Sequence, residues 1–362
     1  MQPDEDGFLR PMIDEAKCVG CGKCGIACPC VREKDTSFPK MCFVARSKNE
    51  EILNESSSGG LFSELALQVL KLGGCVFGCA LRNCIAELVK VEDAQGLAEL
   101  RGSKYVQSDV KNAYRECLSE LEKGRSVLFS GVPCQIAGLK AFLGRDYDNL
   151  LTVGVICHGV TSPAVLARYV EDEERACGSK VMAIRFRDKL KSRGTISMVL
   201  SFDGRRERVY KDSFSTNAYM RSFLGCYSYR NSCFQCQFRT GRSGADILLG
   251  DFWGVEKVTN RFDVYKGASA VLLYTEKAEN IFEACDVERQ GVRYEDVARE
   301  NRNLDENPLR PAGATLFMNE FRSCKSLKAL MNRLKPEPWS VKLERFIVMQ
   351  ERNIKNLLRL NK

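Results

Sequence analysis

The residue type that could do most chemistry here is cysteine, and its spacing is specific. Residues 18 to 29 read Cys-Val-Gly-Cys-Gly-Lys-Cys-Gly-Ile-Ala-Cys-Pro, the pattern C-x2-C-x2-C-x3-C-P. Thiolates on successive tight turns can clasp a 4Fe-4S cube, glycines let backbone amides approach the sulfurs, and the proline turns the chain away. Cys18, Cys21, Cys24 and Cys28 are therefore candidate iron ligands. A zinc ribbon would need two separated pairs, which this run does not offer.

Two further cysteine sites stand apart from the run. In Gly131-Val-Pro-Cys-Gln135, a short apolar strand turns at Gly131, and Pro133 suits the first turn of a helix with apolar spacing at Ile136, Leu139, Phe142 and Leu143. Cys134 then lies at a helix start, where free amides and the helix dipole favour a thiolate. Farther on, Cys226, Cys233 and Cys236 form a group that ends in C-x2-C. In a chain that already carries a cluster run, a second cluster is the expected reading of that group.

Two-run bacterial ferredoxins use the fourth cysteine of each run on the other cluster, and one run is present here. Either Cys28 closes the local cube, or Cys30 or Cys42 does, or a partner chain or an upstream segment completes it. The lead-in Gly7-Phe-Leu-Arg-Pro-Met-Ile-Asp14 reads as the linker between ferredoxin halves, so the chain is expected to begin midway through a two-cluster module.

Eighteen cysteines against a single histidine, His158, in 362 residues argue against mixed Cys/His zinc sites and histidine-based hydrolysis. Met1 to Arg10 has no apolar core, and no apolar run reaches the roughly 18 residues of a membrane span. A reducing cytoplasm with metal or redox cysteines is the expectation. The net charge of +8, densest at Arg205-Arg-Glu-Arg208, comes without a nucleic-acid reader fingerprint. It suits acidic redox partners or a phosphate-bearing cofactor equally well.

The elements that must position these residues alternate strand and helix, as in an open α/β sheet. Asn54-Glu-Ser-Ser-Ser-Gly-Gly60 opens onto a patterned helix from Leu61 to Leu72, and small residues at such a start could admit a cofactor phosphate. Strands are expected near 75–79 and 86–91, helices at 93–100 and 111–123, and a buried strand at 149–157 that ends in Cys157-His-Gly159. Further strands are read at 180–187, 195–202 and 205–210, with turns at Arg193-Gly194 and Asp203-Gly204. A helix follows at 215–223, then Gly250-Asp-Phe-Trp-Gly254, a strand at 268–274, a helix at 276–285 and a basic amphipathic end at 341–360.

Together these segments resemble the beta subunits of coenzyme F420 hydrogenase/dehydrogenase and their bacterial relatives. The matching stretches are the run at 18–29, Ser57-Ser-Gly-Gly60, Arg101-Gly-Ser-Lys-Tyr-Val-Gln-Ser108, Val132-Pro-Cys-Gln-Ile-Ala-Gly138, Cys157-His-Gly159, Arg185-Phe-Arg-Asp188, Ser232-Cys-Phe-Gln-Cys236 and Gly250-Asp-Phe-Trp-Gly254. They span roughly residues 7 to 285. Two departures stand out: the first ferredoxin run is absent, and Cys226 falls outside the family pattern.

The resemblance implies a mixed α/β (α+β) protein: a small ferredoxin-like 4Fe-4S segment (1–40), an open mixed-sheet flavin domain in two parts (41–124 and 125–285) and a helical tail (286–362). It implies FAD and one or two 4Fe-4S clusters. Ser58, Gly59 and Gly60 would meet the FAD phosphates, and Lys104, Tyr105, Pro133, Cys134 and Gln135 would surround the flavin or a cluster. Cys134, Cys157, Cys233 and Cys236 are the expected ligands of the second cluster. Asp251 and Trp253 would fix the cluster-bearing loop, and His158 would be a hydrogen-bonded structural residue, with protonation of a bound acceptor as the sharper alternative. The expected activity moves electrons between clusters and FAD, with hydride exchange to coenzyme F420 or another small acceptor; a relay subunit without its own substrate is the rival. A redox protein or ferredoxin is the expected partner, a homo-oligomer is compatible, and neither nucleic acid nor a membrane span is expected.

Overall fold

A computed structural model describes residues 1–32, 37–189, 196–239, 242–263 and 265–334. The turn at Arg193-Gly194 and the amphipathic end at 341–360 lie outside the described residues. Within them, the segments that read as near-continuous apolar runs become the centre of one eight-stranded sheet.

The strands in chain order are β1 (Gln2–Pro3), β2 (Leu9–Arg10), β3 (Met41–Ser47), β4 (Cys75–Arg82), β5 (Ile85–Val91), β6 (Val127–Gly131), β7 (Leu150–Val155), β8 (Val181–Asp188), β9 (Ser197–Phe202), β10 (Arg205–Tyr210), β11 (Ile247–Asp251), β12 (Ser269–Leu273) and β13 (Val287–Gly291). The large sheet has the order β13-β3-β12-β11-β7-β6-β4-β5. Its central pairs β4·β6, β6·β7 and β7·β11 are parallel, and the outer pairs are antiparallel. Helices cover both faces, which is why the central strands are apolar at nearly every position. Phe77, Val127 and Phe129 face the helices Ala113–Glu122 and Pro133–Leu143, whereas Val76, Leu128 and Val153 face the helix Leu61–Lys71.

A second lobe stands on its own core. The antiparallel sheet β10-β9-β8 packs with the helices Pro163–Cys177, Ala218–Leu224 and Leu327–Leu334 around Tyr169, Phe186, Tyr219 and Phe317. This arrangement departs from the expected boundaries. Strand pairing β4·β6 runs in one sheet across position 124, as two parts of one domain would, but β13 pairs with β3, so the sheet continues past 285 and the helical region follows β13. Sequence order hid this because both lobes are built from interleaved segments.

The N-terminal lead-in is also more than a linker. Phe8 is buried, Gln107 bonds both the amide and the carbonyl of Leu9, and Ser162 donates to the carbonyl of Asp6 at 2.5 Å. The hairpin β1·β2 is thereby docked onto the start of the helix Pro163–Cys177.

Gly59 shows how closely the 54–60 loop is seated. A Cβ there would lie 2.5 Å from the Ala45 carbonyl oxygen and 2.9 Å from the Ser269 amide, both backbone atoms of neighbouring strands. Gly59→Ala should destabilise the fold by about 1–3 kcal/mol or more in denaturant titration. Gly73→Ala, where φ is +71° but space is open, should cost about 1 kcal/mol.

Candidate functional site

Three of the parallel strands end side by side, and their carboxyl ends carry the chemistry. β6 leads through Val132 and Pro133 to Cys134, β7 leads to Cys157, and β11 leads to Trp253. Gly131 pairs with Gly154, and Val155 with Leu249, so these three exits share one edge of the sheet. Loops at that edge of an open α/β sheet are where ligands bind.

Cys134 sits in the first turn of the helix Pro133–Leu143. Gln135 stabilises that turn: its side-chain oxygen accepts from the Val132 amide at 3.2 Å, and its Nε2 donates to Ser108 Oγ at 2.9 Å. Pro133 is buried. The partner segment arrives through the short helical turn Asn231–Gln235, which carries Cys233 and leads to Cys236. The Arg230 amide donates to the Val160 carbonyl, and Thr161 bridges Tyr229, stitching this segment to the loop after β7. Gly159, with φ +148°, makes the approach possible, since a Cβ there would stand 2.4 Å from the Tyr229 ring.

The result is that four cysteines from distant parts of the chain come within electrostatic reach of one another. Burial, then the neighbouring Cys233 and Cys236, push the Cys134 thiol up to about 12. Burial, then Cys233 and Cys134, raise Cys157, while the Arg239 guanidinium opposes the rise. Cys233 is raised by burial, and the Val160 amide and the guanidinia of Arg230 and Arg239 oppose this. Cys134 keeps an exposed surface, and the other three are half-buried. Among the described residues no three His, Cys, Asp or Glu side chains stand close enough to share one ion. Four soft thiolate donors are the ligand chemistry of an iron-sulfur cluster. Cys226 has φ +60°, and its sulfur lies 3.8 Å from the Leu224 carbonyl oxygen; like Cys157 and Cys233 it acts on the Tyr229 hydroxyl, so it lies beside the group.

The Cys18 run lies at the other end of the same helix. Cys18, Cys21 and Cys24 are exposed and Cys28 is half-buried around the short helix Lys23–Ile26. Arg32 Nη2 donates to the Ala141 carbonyl at 3.0 Å, so the run is tied near the C-terminal end of the helix that begins at Pro133. Cys30 is exposed, whereas Cys42 lies in β3 against the core, where burial raises its thiol to about 11.

The residues expected around FAD have other tasks in part. The Gly59 amide donates to Ser269 Oγ at 2.9 Å, and its carbonyl accepts from the Ser47 amide, so this position is engaged by the sheet rather than open to a phosphate. Gly60 is buried, and Ser58 Oγ donates to the Ala268 carbonyl. Lys104 Nζ donates to the carbonyls of Glu99, Leu100 and Arg101, capping the helix Ala94–Leu100. The Tyr105 ring is stacked on Phe223 at 4.6 Å, which occupies one of its faces. His158 is held by Asn303, with ring nitrogens 3.0 and 3.2 Å from Nδ2, and burial, then Arg239, lower its pKa.

A recess at this edge is lined by Ser57, Arg187, Asp188, Lys189, Ile196, Trp253 and Tyr265, with Asp188 paired to Arg185. Arg187 is ion-paired with Asp251 and lies over the Trp253 ring at 5.8 Å. Lys189 Nζ donates to the carbonyls of Leu53 and Ser58, and burial, then the Arg187 charge, lower its pKa to about 8. The segment Arg185 to Asp188 stood out in the sequence without a role for Arg187, and nothing there marked Lys189. Arg239 was missed as well, since no local pattern signals it.

Residues 124–299 match the family model for the C-terminal part of the coenzyme F420 hydrogenase/dehydrogenase beta chain. No curated protein matches the sequence. Among solved structures, a chain of the F420-reducing NiFe hydrogenase complex from Methanosarcina barkeri is similar, with a TM-score of 0.51 and 18% identity, covering 76% of this chain and 93% of that one. At that identity the likeness concerns the fold.

If the two cysteine groups hold separate clusters, Cys21→Ser and Cys134→Ser in anaerobically prepared protein should each lose roughly half of the iron and acid-labile sulfide. Iron and sulfide assays after gel filtration check this, and zinc in place of iron would be the contrary result.

Proposed function

We propose that this chain, whose residues 124–299 match the model for the C-terminal part of the coenzyme F420 hydrogenase/dehydrogenase beta subunit, is an FAD-dependent iron-sulfur oxidoreductase. The observation that carries this reading is the meeting of Cys134, Cys157, Cys233 and Cys236 at the edge of the sheet where the Trp253 recess also opens. Four thiolates are the donor set of a 4Fe-4S cluster. Aromatic faces and the Lys189 cation suit a planar ring that carries phosphates.

FAD fits the Trp253 recess better than the Gly59 loop. Trp253 and Tyr265 offer ring faces, Lys189 offers positive charge, and Ser57 offers a hydroxyl, while Arg187 is balanced by Asp251. When bound, FAD would supply the exchange between a hydride at a small acceptor, coenzyme F420 or another, and single electrons at the clusters. The protein's own part is to hold the parts in place. Asp251 keeps Arg187 charged and oriented, Lys189 ties the 53–58 loop to β8, and Gln135 fixes the turn that bears Cys134.

The Cys18 run is the proposed entry point for electrons. Val19, Ile26 and Val31 beside it are 66–85% exposed, as the contact face of a redox protein or ferredoxin would be. No helix among the described residues is long and apolar enough to cross a membrane, and we place the activity in the cytoplasm, where thiols stay reduced. In the basic knot, Arg208 pairs with Glu173 and Glu207 with Arg185.

An anaerobic absorption spectrum with flavin and iron counts tests the proposal; protein that neither carries nor takes up FAD would refute it. Tyr265 is 55% exposed, so Tyr265→Ala should fold normally and bind FAD about 2- to 13-fold more weakly with iron unchanged. Lys189, with its pKa near 8, is cationic below that value and loses its charge above it. Bound phosphate favours the cation, so FAD affinity, read by fluorescence titration, should fall as pH rises above about 8.

A further inference from the structure

Arg239 is a buried guanidinium, 7% exposed, and among the described residues no carboxylate pairs with it. Its donors go instead to neutral oxygens. Nε donates to Asn307 Oδ1 at 2.8 Å, Nη1 to the carbonyls of Cys157 at 2.8 Å and Asn303, and Nη2 to the carbonyl of His158 at 3.3 Å. One side chain thus clamps the loop after β7 to the 303–307 segment. Carbonyl dipoles solvate the cation but do not neutralise it, and an uncompensated buried charge is strongly unfavourable. Chemistry able to balance it stands in the cysteine group: Arg239 is directly bonded to the backbone of Cys157 and lies within electrostatic reach of the Cys157 and Cys233 sulfurs. Arg230 also acts on that group, from a half-buried position where solvent screens it more.

We propose that Arg239 is a positioning residue that sets the reduction potential of the cluster held by Cys134, Cys157, Cys233 and Cys236, by placing an unpaired positive charge beside it while fixing the Cys157 loop. A four-thiolate cluster is an anion, and reduction adds one electron and one more negative charge with no bond made or broken. A nearby dry cation stabilises the reduced form more than the oxidised form, so its charge raises the potential. The inference rests on the cluster reading of these four cysteines.

The test is a redox titration of the full, anaerobically prepared chain, followed by electron paramagnetic resonance, with signals assigned using Cys21→Ser. Asn307 is exposed and touches Arg239 through one oxygen, so Asn307→Asp should neutralise the guanidinium with no change of shape. It should lower the midpoint of the Cys134-group cluster and leave the Cys18-run cluster unmoved, with iron content as in wild type. Arg239→Gln should shift the same midpoint in the same direction, and Arg239→Lys, which keeps the charge, should stay near wild type. If Arg239→Gln loses the cluster, Asn307→Asp carries the test alone. An unmoved midpoint in iron-replete Asn307→Asp protein would overturn the proposal. Wild-type chain with iron for the Cys18 run only would instead overturn the cluster reading, and the iron count alone tells the two failures apart.

Discussion

The parallel register of β6, β7 and β11 is the constraint on which the rest depends. Because these strands run the same way and are paired in order, the chain must leave all three at one edge. That edge receives Cys134, Cys157 and Trp253 from positions far apart in sequence, on elements held by a core packed on both faces. A cluster demands ligand sulfurs with little slack, and a rigid sheet supplies that where a loop alone would not.

Electrostatics at this edge is arranged by distance from water. The thiols of Cys134 and Cys157 are shifted towards their neutral forms, because charged sulfur is poorly solvated there. A cluster bound as proposed would therefore release protons, and the stability gained on binding would be coupled to folding of the loops that carry the ligands. Arg187 and Arg239 are both largely dry but differ in kind: Arg187 has Asp251 as a counter-ion and serves the structure, whereas Arg239 has neutral oxygens as its partners among the described residues.

The second lobe matters because it delivers Cys233 and Cys236. It is fastened to the sheet lobe by the Arg187–Asp251 pair, by Tyr219, which donates to the Tyr105 carbonyl at 2.7 Å, and by Tyr229, whose ring fills the space above Gly159. The N-terminal hairpin adds Phe8 and the two bonds from Gln107. Movement between the lobes would change the separation of the four sulfurs, so these contacts hold the site's geometry as well as the fold.

What the sequence determined by itself is whatever local periodicity and spacing encode. The strand-turn-helix at Cys134, the buried strand ahead of Cys157, the helix from Leu61 and the Cys18 run were all legible, because apolar alternation, a proline at the helix start and tight cysteine spacing act over a few residues. Tertiary structure decided the rest. Gly59 read as an open amide but is closed by Ala45 and Ser269, on two strands whose arrival no local pattern announces. Lys104 read as a cofactor cation but caps its own neighbouring helix. β13 joined the sheet beyond the expected boundary because an edge strand is defined by its partner, here β3. Arg239 lies in no motif, and its importance comes from burial and from the carbonyls that surround it, which exist only once residues 157, 239 and 303 have been brought together by the fold.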